Sequence, residues 1–504
     1  MTGSEILPWS RKRNVANLCD IFLSACNSDK KRAFCVSGDL NLSYEQALHA
    51  VQGFAAKYGA GLNGQDVAIF MSNGIPALIT YLSVLWSGGR PALLNAAMPK
   101  ATGKKLMDAL NPAMVFSDHP LDFDSHAVCV ENELILHWAS LKADTKSACG
   151  AGDMPATYFY SGGTTGVPKR VLYTHEKILS AGERMQWGWP MRDGEVFLPI
   201  APFSHIYGYL MGICVPLQCA GTTVFPDRFK PTEVLDLVER EKVTVLGGGP
   251  PAIYLGLMSD PTLSSRDLSA LRVCPGGGAP FPLDVHKRWK DATGLTIFEG
   301  YGMTEMAPIC VNQAGDGLRP GSAGRVVPDS AVSIVDLITG TQVMPVGEAG
   351  EIRIRGPHGM DGYCDNPEET AMVLRDGWIH TGDIGVLDRD GFLTITDRKK
   401  DVILHKGFNV FPREVEEALM SHSSISNVCV VGKIDARNGE NIVAFVTSTT
   451  VETTTQEELV DHCRQYLVPY RLPNQIIFCE SLDLTPAGKV DRLALRERAQ
   501  ELTI

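Results

Sequence analysis

This chain has no excess of positive charge, no paired cysteines and no long hydrophobic run. Lysine and arginine number 46 against 58 aspartates and glutamates, a net charge of −12. It therefore lacks the cationic surplus with which a general nucleic-acid binder meets a phosphate backbone. Its 13 cysteines are scattered and none stands in a Cys-x-x-Cys pair. That argues against a disulfide framework or a zinc site and for a reducing compartment. The longest largely apolar run, Ala77 to Trp86, is too short to span a bilayer. Residues 1–14 carry no signal-peptide core and Glu501 to Ile504 no address signal, so a cytoplasmic location is expected. No internal repeat is visible.

What is present is ordinary globular material: 44% hydrophobic and 21% charged residues. At 504 residues the chain exceeds what one core supports, so at least two domains are expected. Ser43 is a good N-cap with Gln46 at the capping-box position, heading an apolar-periodic helix. Val67–Met71, Ile75–Trp86 and Pro91–Leu94 then read as strand, helix and strand, the βαβ unit of a parallel sheet. The texture continues through strand candidates at Met114–Ser117, Ala127–Val130, Thr157–Tyr160, Val196–Ile200, Thr222–Phe225, Val243–Leu246, Leu271–Cys274 and Thr296–Glu299. Helix candidates between them include Pro231–Glu241 and Leu283–Thr293. The fold class is α/β, a large N-terminal domain of stacked βαβ-type sheets. From Val332 a β-rich, antiparallel appendage is expected, and after the charged run Asp397–Asp401 a small α+β C-terminal domain. That run is either a domain junction or a solvated turn.

The most distinctive stretch is Tyr158 to Lys169, a buried-type strand end entering a loop of three glycines, three hydroxyl residues and a lysine. Glycines let backbone N–H groups approach a ligand, hydroxyls donate, and the lysine adds charge, which together make an oxyanion cradle. The Walker A spacing is absent: Val167 or Pro168 stands where its second glycine belongs. The alternative is an ordinary flexible turn. Four further stretches join reactive residues to loop-like surroundings. His205 follows a strand, where ligands gather in open α/β sheets, although a lone histidine is more often structural. Gly300-Tyr301-Gly302-Met303-Thr304-Glu305 pairs a hydroxyl with a carboxylate suited to Mg²⁺. Asp383 could hold two vicinal hydroxyls or simply sit in a β-turn. Lys489, on a Gly-containing turn, would on its own be read as a solvent-exposed lysine.

In this order Ser161–Lys169, Tyr301–Glu305, Thr381-Gly382-Asp383, Asp397-Arg398 and Gly488-Lys489 resemble the core motifs of the adenylate-forming (ANL) superfamily, in its acyl-CoA synthetase branch. The resemblance runs from about Val67 to Lys489. It implies an adenylation (AMP-binding) domain over 1–398 and a mobile lid over 399–504, hinged near Lys400. It further implies activation of a carboxylic acid by ATP as acyl-AMP with loss of pyrophosphate, then transfer of the acyl group to the thiol of coenzyme A. By the same resemblance Ser161, Gly162, Gly163, Thr164, Thr165, Gly166 and Lys169 meet the phosphates, Thr304 the α-phosphate and Glu305 Mg²⁺. Glu299, Gly300, Tyr301 and Gly302 line the nucleotide site. Asp383 and Arg398 meet the ribose, and Lys489 bridges carboxylate and α-phosphate. His205, Tyr301, Gly248, Gly276, Gly277 and Gly278 border the acyl group, and Lys406, Gly407 and Phe408 replace Lys489 at the site for thiol transfer.

Ser204 stands where amino-acid-activating relatives usually carry an Asp counter-ion, which disfavours an amino acid. The stretch Lys406 to Glu416 is similar to acyl-CoA synthetases acting on fatty acids, and no carrier domain follows Lys489. A fatty or other apolar acid and coenzyme A are therefore expected, with an aryl acid or a carrier-protein acceptor as alternatives, and the enzyme a monomer or homodimer. The glycines at 247–249 and 276–278 either open the acyl pocket or let backbone pack where the side chains would be. Arg170 departs from the family's usual glycine after the lysine and either touches phosphate or points outward.

Overall fold

The computed structural model describes residues 16–124, 126–161, 168–189, 191–279, 281–448, 454–483 and 490–502. The chain divides into two compact units. The first comprises residues 1–332, 354–379 and 390–393, the second residues 333–353, 380–389 and 394–504.

The first unit is built on three sheets. A six-stranded sheet runs in the order Val128–Cys129, Met114–Ser117, Asp66–Phe70, Arg90–Leu94, Pro155–Ser161 and Lys169–Thr174. Its pairs are parallel except the last, an antiparallel hairpin registering Ser161 opposite Lys169. The βαβ unit forms as the apolar runs predict, and Gly88 at φ +77° ends its helix, a turn that a side chain would strain. The capping box also forms: Ser43 Oγ accepts from the Gln46 amide at 3.2 Å, and Gln46 Oε1 from the Ser43 amide at 2.8 Å.

A five-stranded sheet takes Val245–Gly247, Val196–Pro199, Thr222–Phe225, Ala33–Ser37 and Leu40–Ser43. A four-stranded one takes Cys274–Gly277, Ile297–Met303, Met306–Val311 and Arg325–Val326, antiparallel after its first pair. Two of these strands differ from the sequence reading. The strand expected at Leu271–Cys274 lies at Cys274–Gly277, and that expected at Val243–Leu246 begins at Val245. In both, apolar residues enter the strand from a buried approach. Parallel pairing of Gly276 and Gly277 with Glu299 and Gly300 then carries the first ladder onward through glycines.

Apolar cores fill the spaces between layers: Leu198, Val224, Leu246, Tyr254, Phe281 and Trp289 gather in one, Ala68, Phe70, Ala92, Leu94 and Tyr158 in another. In the second unit, the strands Ile403–His405, Phe408–Val410, Ile425–Asp435, Gly439–Ser448 and Gln475–Phe478 form a sheet. The helices Pro412–Met420 and Gln456–Cys463 supply Val415, Leu419, Leu459 and Cys463 to its core. The β-rich segment expected after Val332 is present as Ala331–Val335, Gly350–Arg355, Trp378–Leu387 and Leu393–Arg398.

One buried histidine makes the first unit sensitive to acid. The His358 imidazole donates from Nε2 to the Pro308 carbonyl at 2.7 Å. Its pKa is pushed down to about 3, chiefly by burial and then by the Arg184 charge, with the Pro308 bond acting the other way. The unfolded chain takes up this proton below about pH 6.5 while the folded chain refuses it, so stability is intact above that pH and is lost as pH falls toward 3. His358→Gln should flatten the thermal-melting profile between about pH 6 and 4 relative to wild type. Parallel acid limbs in the two proteins would refute this assignment.

Candidate active site

The hairpin 155–174 brings its two mouth residues together: Ser161 ends one strand and Lys169 opens the next. Ser161 is buried, and the Lys169 side chain nearly so. Gly162, Gly163, Thr164, Thr165 and Gly166, between them, lie outside the described residues, as does Lys489. Thr304 and Glu305 occupy the turn joining the antiparallel strands Ile297–Met303 and Met306–Val311.

Residues 360–369 join these two turns. The Met360 amide donates to the Glu305 carbonyl at 2.8 Å, Val171 bridges to Tyr363, and the Cys364 amide donates to the Arg170 carbonyl at 2.8 Å. Tyr363 is thereby wedged between them. Its phenol donates to Glu305 Oε1 at 2.6 Å, and the Lys169 Nζ stands 5.0 Å from its ring centroid. Lys169 Nζ also donates to Glu369 Oε2 at 2.5 Å. Glu369 lies in the helix Pro367–Val373, whose N-cap, Asn366, accepts from the Glu369 amide at 3.1 Å. Burial, then the Glu305 charge, pushes the Tyr363 phenol well above its ordinary range, so it stays protonated and remains a donor. Tyr173 behaves alike and donates to the Thr304 carbonyl at 2.9 Å. The sequence reading missed Tyr363, Glu369 and Tyr173. An acidic Pro-Glu-Glu start to a helix was a visible signal for Glu369, but nothing local marked its partner.

Ser161, Lys169, Thr304 and Glu305 thus form one constellation in the first unit: hydroxyls, an ammonium and a buried carboxylate. Among the described residues no group of three or more His, Cys, Asp or Glu could hold a metal by itself. A single carboxylate, one oxygen of it fixed by a phenol, fits Mg²⁺, which is held by one or two carboxylates plus phosphate oxygens and water.

The other expected residues are placed as follows. His205 caps the short helix Ile206–Tyr209 after the strand Val196–Pro199, and its Nδ1 accepts from the Tyr207 amide at 3.2 Å. Asn73 buttresses this loop, donating to the Ala201 carbonyl and accepting from the Phe203 amide, both at 2.8 Å. Glu299 is buried, and its Oε1 accepts from the His286 imidazole at 2.7 Å and the Gly321 amide at 2.8 Å. Tyr301 pairs with Cys310 across the strands. The Arg170 guanidinium pairs with Asp365 and lies 5.1 Å from the Tyr158 ring centroid.

Gly248, Gly276, Gly277 and Gly300 do not leave space open. A Cβ at Gly248 would stand 2.9 Å from the Tyr254 ring and one at Gly276 2.7 Å from the Phe281 ring. At Gly277 it would meet the Gly300 carbonyl oxygen at 2.7 Å, and at Gly300 the Trp189 indole at 2.9 Å. Of the four glycines expected to border the acyl group, only Gly278, at φ +76°, faces empty space among the described residues.

In the second unit, Asp383 is buried and the Arg398 guanidinium approaches its Oδ1 at 3.2 Å. Thr381 accepts from the Asp383 amide at 3.0 Å and donates to the Ile352 carbonyl at 2.8 Å, which sets the Asp383 backbone. Lys400 belongs to the short turn Lys399–Asp401. Lys406 and Gly407, at φ +52° and +81°, form the two-residue tip of a hairpin, the primed turn that strand twist favours. Phe408 is exposed and stacks on Tyr470 at 4.5 Å.

The AMP-binding enzyme family model matches residues 22–364, and the AMP-binding enzyme C-terminal domain matches residues 414–489. The chain belongs to the AMP-binding enzymes, within the adenylate-forming superfamily. As an AMP-binding enzyme it is 39% identical over 345 residues to a long-chain-fatty-acid–CoA ligase of Bacillus subtilis. That match covers 68% of this chain and 61% of the relative, less than two thirds of its length. It is 30% identical to 4-coumarate–CoA ligase 1 of Petroselinum crispum, over 89% of this chain and 88% of the relative. Among solved structures it resembles ATP-bound MatB from Rhodopseudomonas palustris, with a TM-score of 0.87 at 26% identity over 96% and 99% of the two chains. No helix among the described residues is long and apolar enough to cross a membrane.

Removing only the phenol oxygen of Tyr363 tests the join between the two turns. Tyr363→Phe keeps the ring beside Lys169 but strips Glu305 of its donor, and should lower stability by about 1–3 kcal/mol. Urea unfolding measures this; a midpoint equal to wild type would show that the bond contributes nothing.

Proposed function

We propose that this AMP-binding enzyme is an ATP-dependent acid–thiol ligase that converts an apolar carboxylic acid to its coenzyme A thioester through an acyl-adenylate. The observation that carries this reading is the constellation of Ser161, Lys169, Thr304 and Glu305, drawn from two separate stretches and tied by Tyr363 and Glu369 of a third. It supplies what an anion attacking a polyanion requires: preorganised donors and positive charge.

In the first step a carboxylate oxygen of the acid attacks the α-phosphorus of ATP. The bond to the bridging oxygen breaks, and pyrophosphate leaves with its electron pair. Ser161 and Lys169 hold the departing pyrophosphate end, and the Thr304 hydroxyl orients the α-phosphate. Glu305 would hold Mg²⁺, which neutralises phosphate charge when bound. Lys169 is already paired with Glu369, so polyphosphate replaces one anionic partner with another rather than meeting a bare cation. Asp383 and Arg398 take the ribose, and the Lys489 ammonium lies between carboxylate and α-phosphate. In the second step the coenzyme A thiolate attacks the acyl carbonyl and AMP leaves. A lid over 399–504, turning near Lys400, exchanges Lys489 for the Lys406–Phe408 tip between the steps. The setting that fits these substrates is the cytoplasm.

The relatives named for long-chain-fatty-acid and 4-coumarate CoA ligation both support coenzyme A as acceptor. A fatty acid is favoured by the higher identity to the first. An aromatic acid is the second reading, favoured by the near full-length match to the other.

Fatty, benzoic, cinnamic and amino acids scored for pyrophosphate release, with and without coenzyme A, decide the substrate class. Release of ADP and phosphate would overturn the chemistry, and transfer only to a carrier protein would overturn the acceptor. Lys489→Ala should reduce adenylate formation about 100-fold or more while sparing thioester formation from preformed acyl-adenylate. Equal loss in both halves would sink the exchange of Lys489 for the hairpin tip.

A further inference from the structure

Outside the constellation just described, the first unit contains a second cluster of reactive groups. Cys19 lies in the first turn of the helix Leu18–Ser28, and Cys149 in the segment leading into the strand Pro155–Ser161. His175 opens the helix His175–Gly188 immediately after the hairpin. The Cys149 sulfur is 3.4 Å from His175 Nε2, and the Cys19 side chain is near enough to the same sulfur to act on its charge. The segments are pinned beside the cysteines: Asn17 Nδ2 donates to the Gly150 carbonyl at 3.0 Å, and Ser147 Oγ accepts from the Cys149 amide at 3.2 Å. His175 is buried, and among the described residues its Nδ1 has no hydrogen-bond partner, while its Nε2 faces the Cys149 sulfur. Cys19 is buried, whereas Cys149 is partly accessible.

These surroundings make the two thiols unequal. Donation from the Cys19 thiol and from His175 pushes the Cys149 thiol down despite its burial, and burial pushes the Cys19 thiol up. Tyr81 and Tyr209, in the neighbouring core, are held protonated by burial and add no charge, while Asp20 faces Cys19. A partly accessible thiolate beside a histidine and a protonated thiol is the arrangement of an attacking and a resolving cysteine.

We propose that Cys149 and Cys19 form a peroxide-reactive dithiol site that closes reversibly to a disulfide, with Cys149 attacking, Cys19 resolving and His175 facing the attacking sulfur. The Cys149 thiolate attacks one oxygen of hydrogen peroxide, the O–O bond breaks, and hydroxide leaves to be protonated to water. The product is a sulfenic acid. Cys19 then gives up its proton, its sulfur attacks that of Cys149, and the S–O bond breaks with loss of a second water. Two thiols are oxidised by two electrons and one peroxide becomes two waters. A dithiol reductant restores the pair. The closed form ties the start of the first helix to the segment feeding the strand that ends at Ser161.

The exposed Cys129 is an internal control, because burial and its acidic neighbours Glu131 and Asp118 push its thiol up. The full-length protein is treated with one equivalent of hydrogen peroxide at neutral pH and mapped by mass spectrometry without reduction. The expected result is a 19–149 cross-linked peptide, removed by dithiothreitol, formed about tenfold faster than any Cys129 oxidation. Cys19→Ser should instead accumulate a Cys149 sulfenic acid that dimedone traps. Oxidation of Cys129 ahead of Cys149, or oxidation of Cys149 in wild type without the cross-link, would overturn the proposal. The wild-type map alone decides if the variant fails to fold.

Discussion

A buried carboxylate and a nearly buried ammonium cannot sit side by side in the first unit without fixed partners, because unpaired charge out of water is costly. The partners here are few and specific. The Lys169 ammonium has Glu369 and the face of Tyr363, and Glu305 has the Tyr363 phenol. Tyr363 serves both charges at once, donating through its oxygen to an anion and offering its ring to a cation. The hairpin mouth and the 303–306 turn are therefore held at a fixed spacing before any ligand enters. Preorganisation of this kind removes a cost that would otherwise fall on the transition state.

Where sequence patterns were local, they were legible. The Ser43 capping box and the Val67–Leu94 βαβ unit arise from periods of two or 3.6 residues and from capping chemistry. Ser161 and Lys169, which the structure sets opposite each other, were marked too, since Gly, Thr and Lys in one short stretch is an unusual collection. What escaped detection lies far away along the chain: Lys169 and Glu369 are 200 residues apart and Tyr363 and Glu305 are 58 apart. No local rule predicts pairing at such distances. The Cys274–Gly277 strand was misplaced for a related reason. Glycine carries little strand propensity of its own, and here pairing with the next strand and burial override it.

Glu299 illustrates how a motif can mix roles. It precedes Tyr301, Thr304 and Glu305 in one continuous stretch, yet its carboxylate oxygen is engaged by His286 and by the Gly321 backbone. It fixes the entry of the chain into the site strand, whereas Glu305, six residues on, offers the carboxylate beside the hydroxyl of Thr304. Identical residue types, one turn apart, are distinguished only by what surrounds them.

The glycines facing Tyr254, Phe281 and Trp189 impose a rule on how this chain can diverge. Each is a seat cut to receive a ring, so glycine and ring are halves of one shape. Position 276 can gain a side chain only as position 281 gives up its phenyl group, and positions 248 and 254 are bound in the same way. Homologues with altered walls should therefore differ in matched couples rather than at single sites, and covariation at 276/281 and 248/254 would be the imprint of that steric bargain in their sequences.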